Sequence, residues 1–166
     1  CGSAIIDLAA ELFMRGIIDI RGKFRPERGA PLTRTAEGWS YVVVPAARTA
    51  HGRDIALTQV DIDVLLRSKA AMYTILETIT RQVGITFEDI SRFYVAGTFG
   101  TYIRPRNAVI LGMVPDMPME KFVALGNSSG RGACLLVLDE RLLQTVETIC
   151  EKLTYVELNV NQMFMN

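Results

Sequence analysis

The chain is poor in the side chains that most often bind metals or carry covalent chemistry. Its 166 residues include three cysteines and one histidine, and no two cysteines form a C-x-x-C pair. Cys1, Cys134 and Cys150 therefore indicate neither a zinc site nor an iron–sulfur cluster, and we interpret them as buried thiols of a reducing cytoplasm. His51 lies in a polar turn away from other ligand types, which favours a surface residue. The sequence predicts no metal within these residues.

Sequence patterns of several common catalytic sites are also absent. The chain contains no H-E-x-x-H, G-x-G-x-x-G or G-x-x-x-x-G-K-[ST] segment, which argues against a zinc protease, a dinucleotide fold and a P-loop. Asp61, Asp63, Glu88 and Asp89 stand where helices are predicted to begin, and the helix dipole explains acidic residues there. We predict no catalytic residue in this chain.

Charge of one sign and long apolar runs are lacking too. Eighteen Lys and Arg residues balance eighteen Asp and Glu residues, so no overall field attracts nucleic acid or an anionic membrane. Apolar runs such as Tyr41–Val44 are far too short to cross a bilayer. The chain begins at Cys1 and enters an apolar helix at once, without the features of a signal peptide. We therefore expect a piece of a longer protein, with neither a nucleic-acid nor a membrane partner.

What the sequence does contain is an alternation of strands and helices. The predicted elements are a helix from Ser3 to Gly16, a surface connection Ile20–Gly38, strands Trp39–Val44 and Asp54–Leu57, a helix from Thr58 to Gly84, a strand Arg92–Ala96, a loop Gly97–Gly100, a helix from Pro105 to Leu111, a connection Met113–Met119, a strand Phe122–Leu125, a turn Gly126–Gly132, helices Ala133–Leu138 and Glu140–Leu153, and an edge strand Tyr155–Val160. This order indicates an α/β domain, in which ligands gather where strands end.

Two glycine-rich segments and one lysine are the candidate functional residues. Glycines in Gly97–Gly100 and Gly126–Gly132 would let the backbone approach a ligand closely, although tight strand-to-helix packing explains each segment equally well. Lys69 interrupts an apolar stripe on the long helix, so its ammonium group either reaches solvent or meets an anion. The stripe contains Ile62, Leu65, Met72, Leu76, Ile79 and Val83.

Five blocks of sequence occur in an order that is shared with a known family. They are residues 1–8, 54–62, 68–71, 95–102 and 126–133. Together they resemble the C-terminal region of reductive activators of corrinoid proteins, and the resemblance continues to Tyr155–Leu158. It implies the second, ribonuclease-H-like half of an ATPase domain of the actin, sugar-kinase and chaperone (ASKHA) superfamily, an α/β fold with a mixed sheet and flanking helices.

The resemblance also implies an activity for the parent protein. Members of this family use ATP, with Mg²⁺, to drive electrons from a 2Fe-2S cluster onto an inactive cob(II)amide, which restores the cob(I)amide needed for methyl transfer. Residues 1–166 would then be one fragment in the cytoplasm, inactive by itself. The ferredoxin-like domain, the first ASKHA half and the phosphate-binding loops would precede Cys1. The implied partner is a corrinoid protein, and a homo-oligomer is left open.

By the same resemblance, seven residues form the adenosine side of a nucleotide site. The adenosine loop looks like Val95–Gly100, with Thr98 where the family often has glycine, and Lys69 matches a lysine that faces the nucleoside. The implied set is Lys69, Gly97, Thr98, Phe99, Gly100, Gly126 and Asn127. An alternative is a non-catalytic docking module that presents Ile20–Gly38 and Met113–Met119 to a corrinoid protein. A plain scaffolding domain is the third hypothesis.

Overall fold

The computed structural model describes residues 2–155, except for the side chains of Thr98 and Phe99. The chain forms two compact units. The first consists of the chain up to Tyr73 together with Ile103–Asp116, and the second of Thr74–Tyr102 together with the chain from Met117 onward.

Two helices from distant parts of the sequence pack together in the first unit. Helix α1 (Gly2–Met14) contacts helix α4 (Pro105–Leu111). The buried apolar residues of these helices are Ile6, Ala9, Ala10, Leu12, Ala108 and Leu111. Between the helices, buried Asn107 donates a hydrogen bond from Nδ2 to Asp7 Oδ1 at 2.6 Å, so its amide is not left unpaired. The predicted end of α1 at Gly16 is confirmed, since this glycine has φ +67°.

The strands of the first unit form an antiparallel sheet in the order β1-β2-β3. They are β1 (Leu32–Thr35), β2 (Gly38–Val44) and β3 (Ile55–Thr58), with Arg34 opposite Trp39 and Tyr41 opposite Leu57. The prediction of an irregular connection over Ile20–Gly38 is therefore wrong, because this segment contains β1 and a 3-10 turn, Pro26–Arg28. All residues of β1 except Leu32 are exposed. The strand therefore forms through its pairing with β2 and has no alternation of apolar and polar residues that would predict it from sequence.

Helix α2 (Gln59–Gln82) begins with a capping box. The Asp61 carboxylate accepts hydrogen bonds from Thr58 N at 2.9 Å and Thr58 Oγ1 at 2.7 Å, and Thr58 Oγ1 accepts from Asp61 N at 3.1 Å. Ile62 is buried, but the later stripe residues Met72, Ile79 and Val83 are exposed. The apolar stripe is therefore buried only in part. The helix contributes to both units, and in its second half the buried residues include Thr78 and Thr80 instead.

The second unit is built around two parallel strands. Strand β4 (Phe93–Ala96) pairs with β5 (Phe122–Gly126), and the rings of Phe93 and Phe122 lie 5.4 Å apart. The helices of this unit, besides the end of α2, are α3 (Thr98–Tyr102), α5 (Ser128–Leu138) and α6 (Leu142–Glu151), and a 3-10 turn covers Met119–Lys121.

Both glycine-rich segments are more helical than predicted. Helix α3 starts at Thr98, directly after Gly97, and α5 starts at Ser128, five residues before the predicted beginning at Ala133. Gly97, at φ +94°, reverses the chain by itself, so the remainder of the segment is free to form a helical turn. The predicted loops Gly97–Gly100 and Gly126–Gly132 are corrected accordingly.

The α/β class with flanking helices is confirmed, although antiparallel and parallel strands occur in separate sheets. The predicted edge strand Tyr155–Val160 lies outside the described residues beyond Tyr155. Within residues 2–155, no helix combines the length and the apolar character needed to cross a bilayer.

Candidate functional site

The two glycine-rich segments meet at one edge of the parallel strand pair. Gly97 N donates a hydrogen bond of 2.7 Å to Gly126 O, and Ala96 is paired with Gly126 in the register of β4 and β5. Parallel strands place their carboxyl ends side by side, and the crevice beyond these ends is the usual ligand site of α/β sheets. The predicted proximity of the two segments is confirmed.

Gly97 and Gly126 leave open space where a side chain would stand. A Cβ atom on Gly97 would have no described heavy atom within 4 Å, and one on Gly126 would meet Thr101 Oγ1 at 3.9 Å. Both glycines have positive φ, +94° and +66°. The main chain is thus bare at this edge, and a ligand can approach it as closely as glycine allows.

Gly100 has a different task. A Cβ atom at this position would lie 2.6 Å from Val95 Cγ1, so the absence of a side chain lets α3 pack against β4. Gly100 is buried. Gly100 can therefore contribute only main-chain atoms to the predicted site. It belongs to helix α3, together with Thr98 and Phe99.

Asn127 caps helix α5. Its Oδ1 accepts a hydrogen bond of 3.0 Å from Gly130 N, and Arg131 N donates to Asn127 O at 3.1 Å. A Cβ atom on Gly130 would lie 2.8 Å from Asn127 Nδ2, so the cap requires glycine there. The Asn127 side chain is exposed, and its Nδ2 group makes no hydrogen bond within residues 2–155. The amide oxygen of Asn127 thus caps helix α5, and the Nδ2 group can donate a hydrogen bond to a ligand.

Lys69 belongs to the first unit, whereas the other six predicted site residues belong to the second. Its Cε and Nζ atoms lie 3.3 and 3.4 Å from the position that a Cβ atom would take on Gly112, the residue that ends α4. A cation at the carboxyl end of a helix interacts favourably with the helix dipole. The Lys69 ammonium group therefore lies near the carboxyl end of α4.

Sequence reasoning missed a cavity beside Asn127. An open cavity of about 500 Å³ is lined by Asn127, Gly130, Arg131, Cys134 and Leu135. The last three lie at helical spacing on one face of α5. This spacing can be read from the sequence only when the helix includes Arg131. The helix was predicted to start at Ala133, so the three residues were not placed on one face.

The thiols are placed differently from the prediction. Cys134 and Cys150 are both exposed, so the prediction of buried thiols is wrong for these two, and Cys1 lies outside the described residues. Most side chains of α5 and α6 are exposed, and the cysteines share that environment. His51 is exposed as predicted, and its Nδ1 accepts from Arg53 N at 3.2 Å. In the described part of the chain, no group of three or more His, Cys, Asp or Glu side chains is placed to hold a metal.

The carboxyl groups with displaced pKa values are all stabilised as anions. The pKa of Asp63 is lowered chiefly by its hydrogen bond from Lys23, and that of Asp139 by Arg141. Backbone N–H groups of Lys23 and Thr86 lower the pKa values of Asp19 and Asp89, respectively. Local hydrogen bonds therefore hold these four carboxyl groups in the ionised form.

The docking hypothesis is weakened for one of its two segments. Within Met113–Met119, the residues Met113, Val114, Pro115 and Met117 are buried. Most of this connection is thus buried, and a partner could contact only Asp116, Pro118 and Met119.

Comparison with known proteins gives consistent matches. The family described as the C-terminal domain of RACo, the ASKHA domain, matches residues 1–166. The corrinoid activation enzyme RamQ of Eubacterium limosum is 30% identical over 173 residues, which covers 99% of this chain and 29% of that protein. The Co(II) methylated amine-specific corrinoid protein reductase of Methanosarcina barkeri is 30% identical over 111 residues, 67% of this chain and 20% of that protein.

A solved structure is similar over nearly the whole chain. The structure of a reductive activator for corrinoid,iron-sulfur protein superposes with a TM-score of 0.92 at 36% identity, covering 99% of this chain and 26% of that one. The chain spans less than a third of the length of each of these relatives. Because the family match extends over all 166 residues, the chain belongs to the family of the C-terminal ASKHA domain of RACo.

Proposed function

We propose that this chain is the nucleotide-binding C-terminal portion of an ATP-dependent reductive activator of corrinoid proteins. The proposal is carried by the bare main chain at Gly97 and Gly126, joined by a 2.7 Å hydrogen bond at the ends of two parallel strands. Similarity to a reductive activator over 99% of the chain supports the role of the parent protein. The partner is a corrinoid protein, and the setting is the cytoplasm.

The residues of this chain would form the adenosine side of the site. Gly97 and Gly126 let the nucleoside approach the main chain, Asn127 offers a free amide, and Thr98, Phe99 and Gly100 follow at the start of α3. ATP with Mg²⁺ supplies the driving force for an otherwise unfavourable electron transfer. By the resemblance to reductive activators of corrinoid proteins, the phosphate contacts, the metal ligands and the 2Fe-2S cluster belong to the remainder of the parent protein.

Substituting Gly97 tests the site in the full-length protein. Gly97→Ala places a methyl group in the open space, and we expect ATP affinity to fall by about tenfold or more, the scale of about 1.4 kcal/mol of lost contact. Gly84→Ala is the matched control, because Gly84 also has positive φ, +73°, with no described atom near its Cβ position. ATP titration should separate the two variants, and ATP-dependent reduction of cob(II)amide, followed by absorbance, should fail only in the first. Equal ATP affinity in both variants would contradict the proposed site.

Lys69 is included in the site on the resemblance alone, so it needs its own test. Lys69→Met keeps the apolar stem and removes the charge. If Lys69 holds the nucleotide, the free energy of ATP binding should weaken by about 1–3 kcal/mol. An unchanged affinity combined with a lower unfolding temperature would assign the charge to the carboxyl end of α4, where the structure places it.

A further inference from the structure

We propose that two turns of the first unit form a docking surface for an acidic face of the corrinoid protein. The turns are residues 19–23 and 35–38. The side chains that define this turn surface are Ile20, Arg21, Arg34 and Trp39. The inference rests on the proposed function, which supplies the corrinoid protein as partner, and it adds a surface that shares no residue with the nucleotide site.

Gln59, the first residue of α2, brings the two turns together. Its side-chain Nε2 donates to Gly22 O at 2.9 Å, and its Oε1 accepts from Phe24 N at 3.3 Å. Its Cβ and Cγ atoms lie 3.5 and 4.0 Å from the position that a Cβ atom would take on Gly38. Both turns therefore contact one side chain, so a single partner can reach residues of both.

The first turn holds an apolar side chain in solvent. Ile20 is 84% exposed. The Asp19 carboxylate accepts hydrogen bonds of 2.8 Å from the backbone N–H groups of Arg21 and Lys23, and Asp19 N donates to Lys23 O at 2.9 Å. Because the backbone of this turn is already fixed, placing Ile20 against a partner costs little further ordering.

The second turn adds an arginine that lies over a tryptophan. Arg34 and Trp39 are opposite each other in β1 and β2, and Arg34 Cζ lies 5.8 Å from the centre of the Trp39 ring. Arg34 is exposed, and Trp39 is half-buried. Tryptophan and arginine are among the side chains that most often dominate the binding energy of protein interfaces. The ring positions the guanidinium group for contact with an anionic partner.

The chain around these turns carries positive charge that its neighbours do not neutralise. Residues 15–39 contain six Lys and Arg residues against three Asp and Glu residues, whereas the whole chain has no net charge. Four of these arginines have no carboxylate within ion-pair distance among residues 2–155, namely Arg21, Arg25, Arg28 and Arg34. Asp19 interacts with the first two only at longer range. This charge fits an acidic partner and accelerates its association.

The composition of the turn surface favours a partner that binds and leaves. Permanent interfaces are rich in apolar side chains and depleted of charge at their centre. The exposed residues Val137 and Leu138 of α5 are of that kind. The turn surface instead combines one exposed apolar residue with several cations. An activator has to release each corrinoid protein after reducing it, and a charged surface with one apolar contact suits such turnover.

Charge reversal in the full-length protein tests the surface. Arg21→Glu combined with Arg34→Glu should weaken binding of the cob(II)amide form of the corrinoid protein about tenfold or more, mainly through slower association. Arg48→Glu combined with Arg53→Glu is the matched control. Both of these arginines are exposed in the connection between β2 and β3, at the other end of the sheet, and the change in net charge is the same. Surface plasmon resonance measures both rates, and equal binding by the two double variants would overturn the proposal.

The apolar contact has a different kinetic signature. Ile20→Ala should leave the association rate unchanged and raise the dissociation rate about five- to tenfold, because a short-range contact exists only in the complex. Ile55→Ala removes the same atoms from a residue that is 49% exposed at the other end of the sheet, and it should change neither rate. A dissociation rate that is equal in Ile20→Ala and the wild type would overturn the docking of Ile20.

The docking surface and the proposed function can fail separately. If the wild type reduces cob(II)amide with ATP while both double variants bind the corrinoid protein equally, the function stands and the docking surface is wrong. If the wild type binds no corrinoid protein, the proposed partner is wrong as well. A second copy of the protein is the competing occupant. Sedimentation velocity would reveal it as self-association of the wild type that Arg21→Glu with Arg34→Glu abolishes, and this result would overturn the assignment to the corrinoid protein.

Discussion

Thr78 carries a buried hydroxyl group that the fold does not satisfy. The residue is 3% exposed, and its Oγ1 has no hydrogen-bond partner within residues 2–155. Thr80, two residues later and 8% exposed, donates from Oγ1 to the carbonyl oxygens of Leu76 and Glu77 at 3.1 and 3.0 Å. Both threonines are buried on helix α2, but only the hydroxyl group of Thr80 is hydrogen-bonded, so Thr80 is a suitable control for Thr78.

Removing the unpaired hydroxyl should stabilise the protein. Thr78→Val keeps the shape and avoids the cost of burying an unbonded polar group, so we expect a gain of about 1 kcal/mol in the free energy of unfolding. Calorimetry of the full-length protein should show the increase as a higher unfolding temperature. Thr80→Val removes a satisfied hydroxyl and should bring no gain. A stabilisation of equal size in both variants would mean that pairing is irrelevant here.

At the scale of elements, a salt link ties the loop after α1 to the start of α2. Lys23 Nζ lies 2.9 Å from Asp63 Oδ1, and Gln59 Nε2 donates to the same oxygen at 2.9 Å and to Gly22 O at 2.9 Å. Gly22 fits this arrangement because Ile62 and Leu66 occupy the space where its side chain would lie. Loop and helix are therefore held by packing as well as by charge.

This link makes part of the stability dependent on acid. Lys23 lowers the pKa of Asp63 below its ordinary value of 3.8. A lowered folded-state pKa means that the contribution is present above the unfolded pKa and is lost as pH falls through the folded value. Both side chains are largely solvated, so the effect is modest. Asp63→Asn and Lys23→Met should each flatten the decline in stability below about pH 4, as measured by urea unfolding across pH. An unaltered decline in both variants would contradict this assignment.

The elements that could be predicted from sequence are those with local signals. The Thr58–Asp61 box and Gly16 fix helix ends through neighbouring atoms, and Pro105 starts α4 as expected. Strand β1 was missed because a polar edge strand depends on its partner. At the site, Gly97 and Gly126 lie together because β4 and β5 are parallel, whereas the cavity depends on where α5 begins. The predicted start of α5 lies five residues too late, so Arg131 fell outside the predicted helix.

Considered as a whole molecule, the second unit exposes much apolar surface. On α5 and α6, Val137 is 87% exposed, Leu138 82%, Leu143 53% and Ile149 54%. Large apolar side chains exposed on two successive helices favour association or aggregation. A second copy of the chain is one occupant that such a surface can take.

We therefore expect the isolated 166-residue chain to self-associate as its concentration rises. Replacing Val137 and Leu138 together with lysine should reduce this association, because charges oppose burial of the surface. Ile20→Lys, at a residue that is 84% exposed in the first unit, is the matched control and should have little effect. Sedimentation velocity over a concentration series measures the difference, with circular dichroism as a check on folding. A chain that remains monomeric throughout would contradict the expectation.

The pairing of α1 with α4 has a consequence for biosynthesis. Asp7 and Asn107, which bond across these helices, are 100 residues apart in the chain. At a translation rate of about 5–20 residues per second, α1 emerges from the ribosome about 5–20 seconds before its partner. During that interval the apolar side chains of Ile6 and Leu12 lack the contacts that bury them later. We therefore expect the nascent first unit to expose this apolar face until α4 is made, and slower translation of residues 15–104 to prolong that exposure.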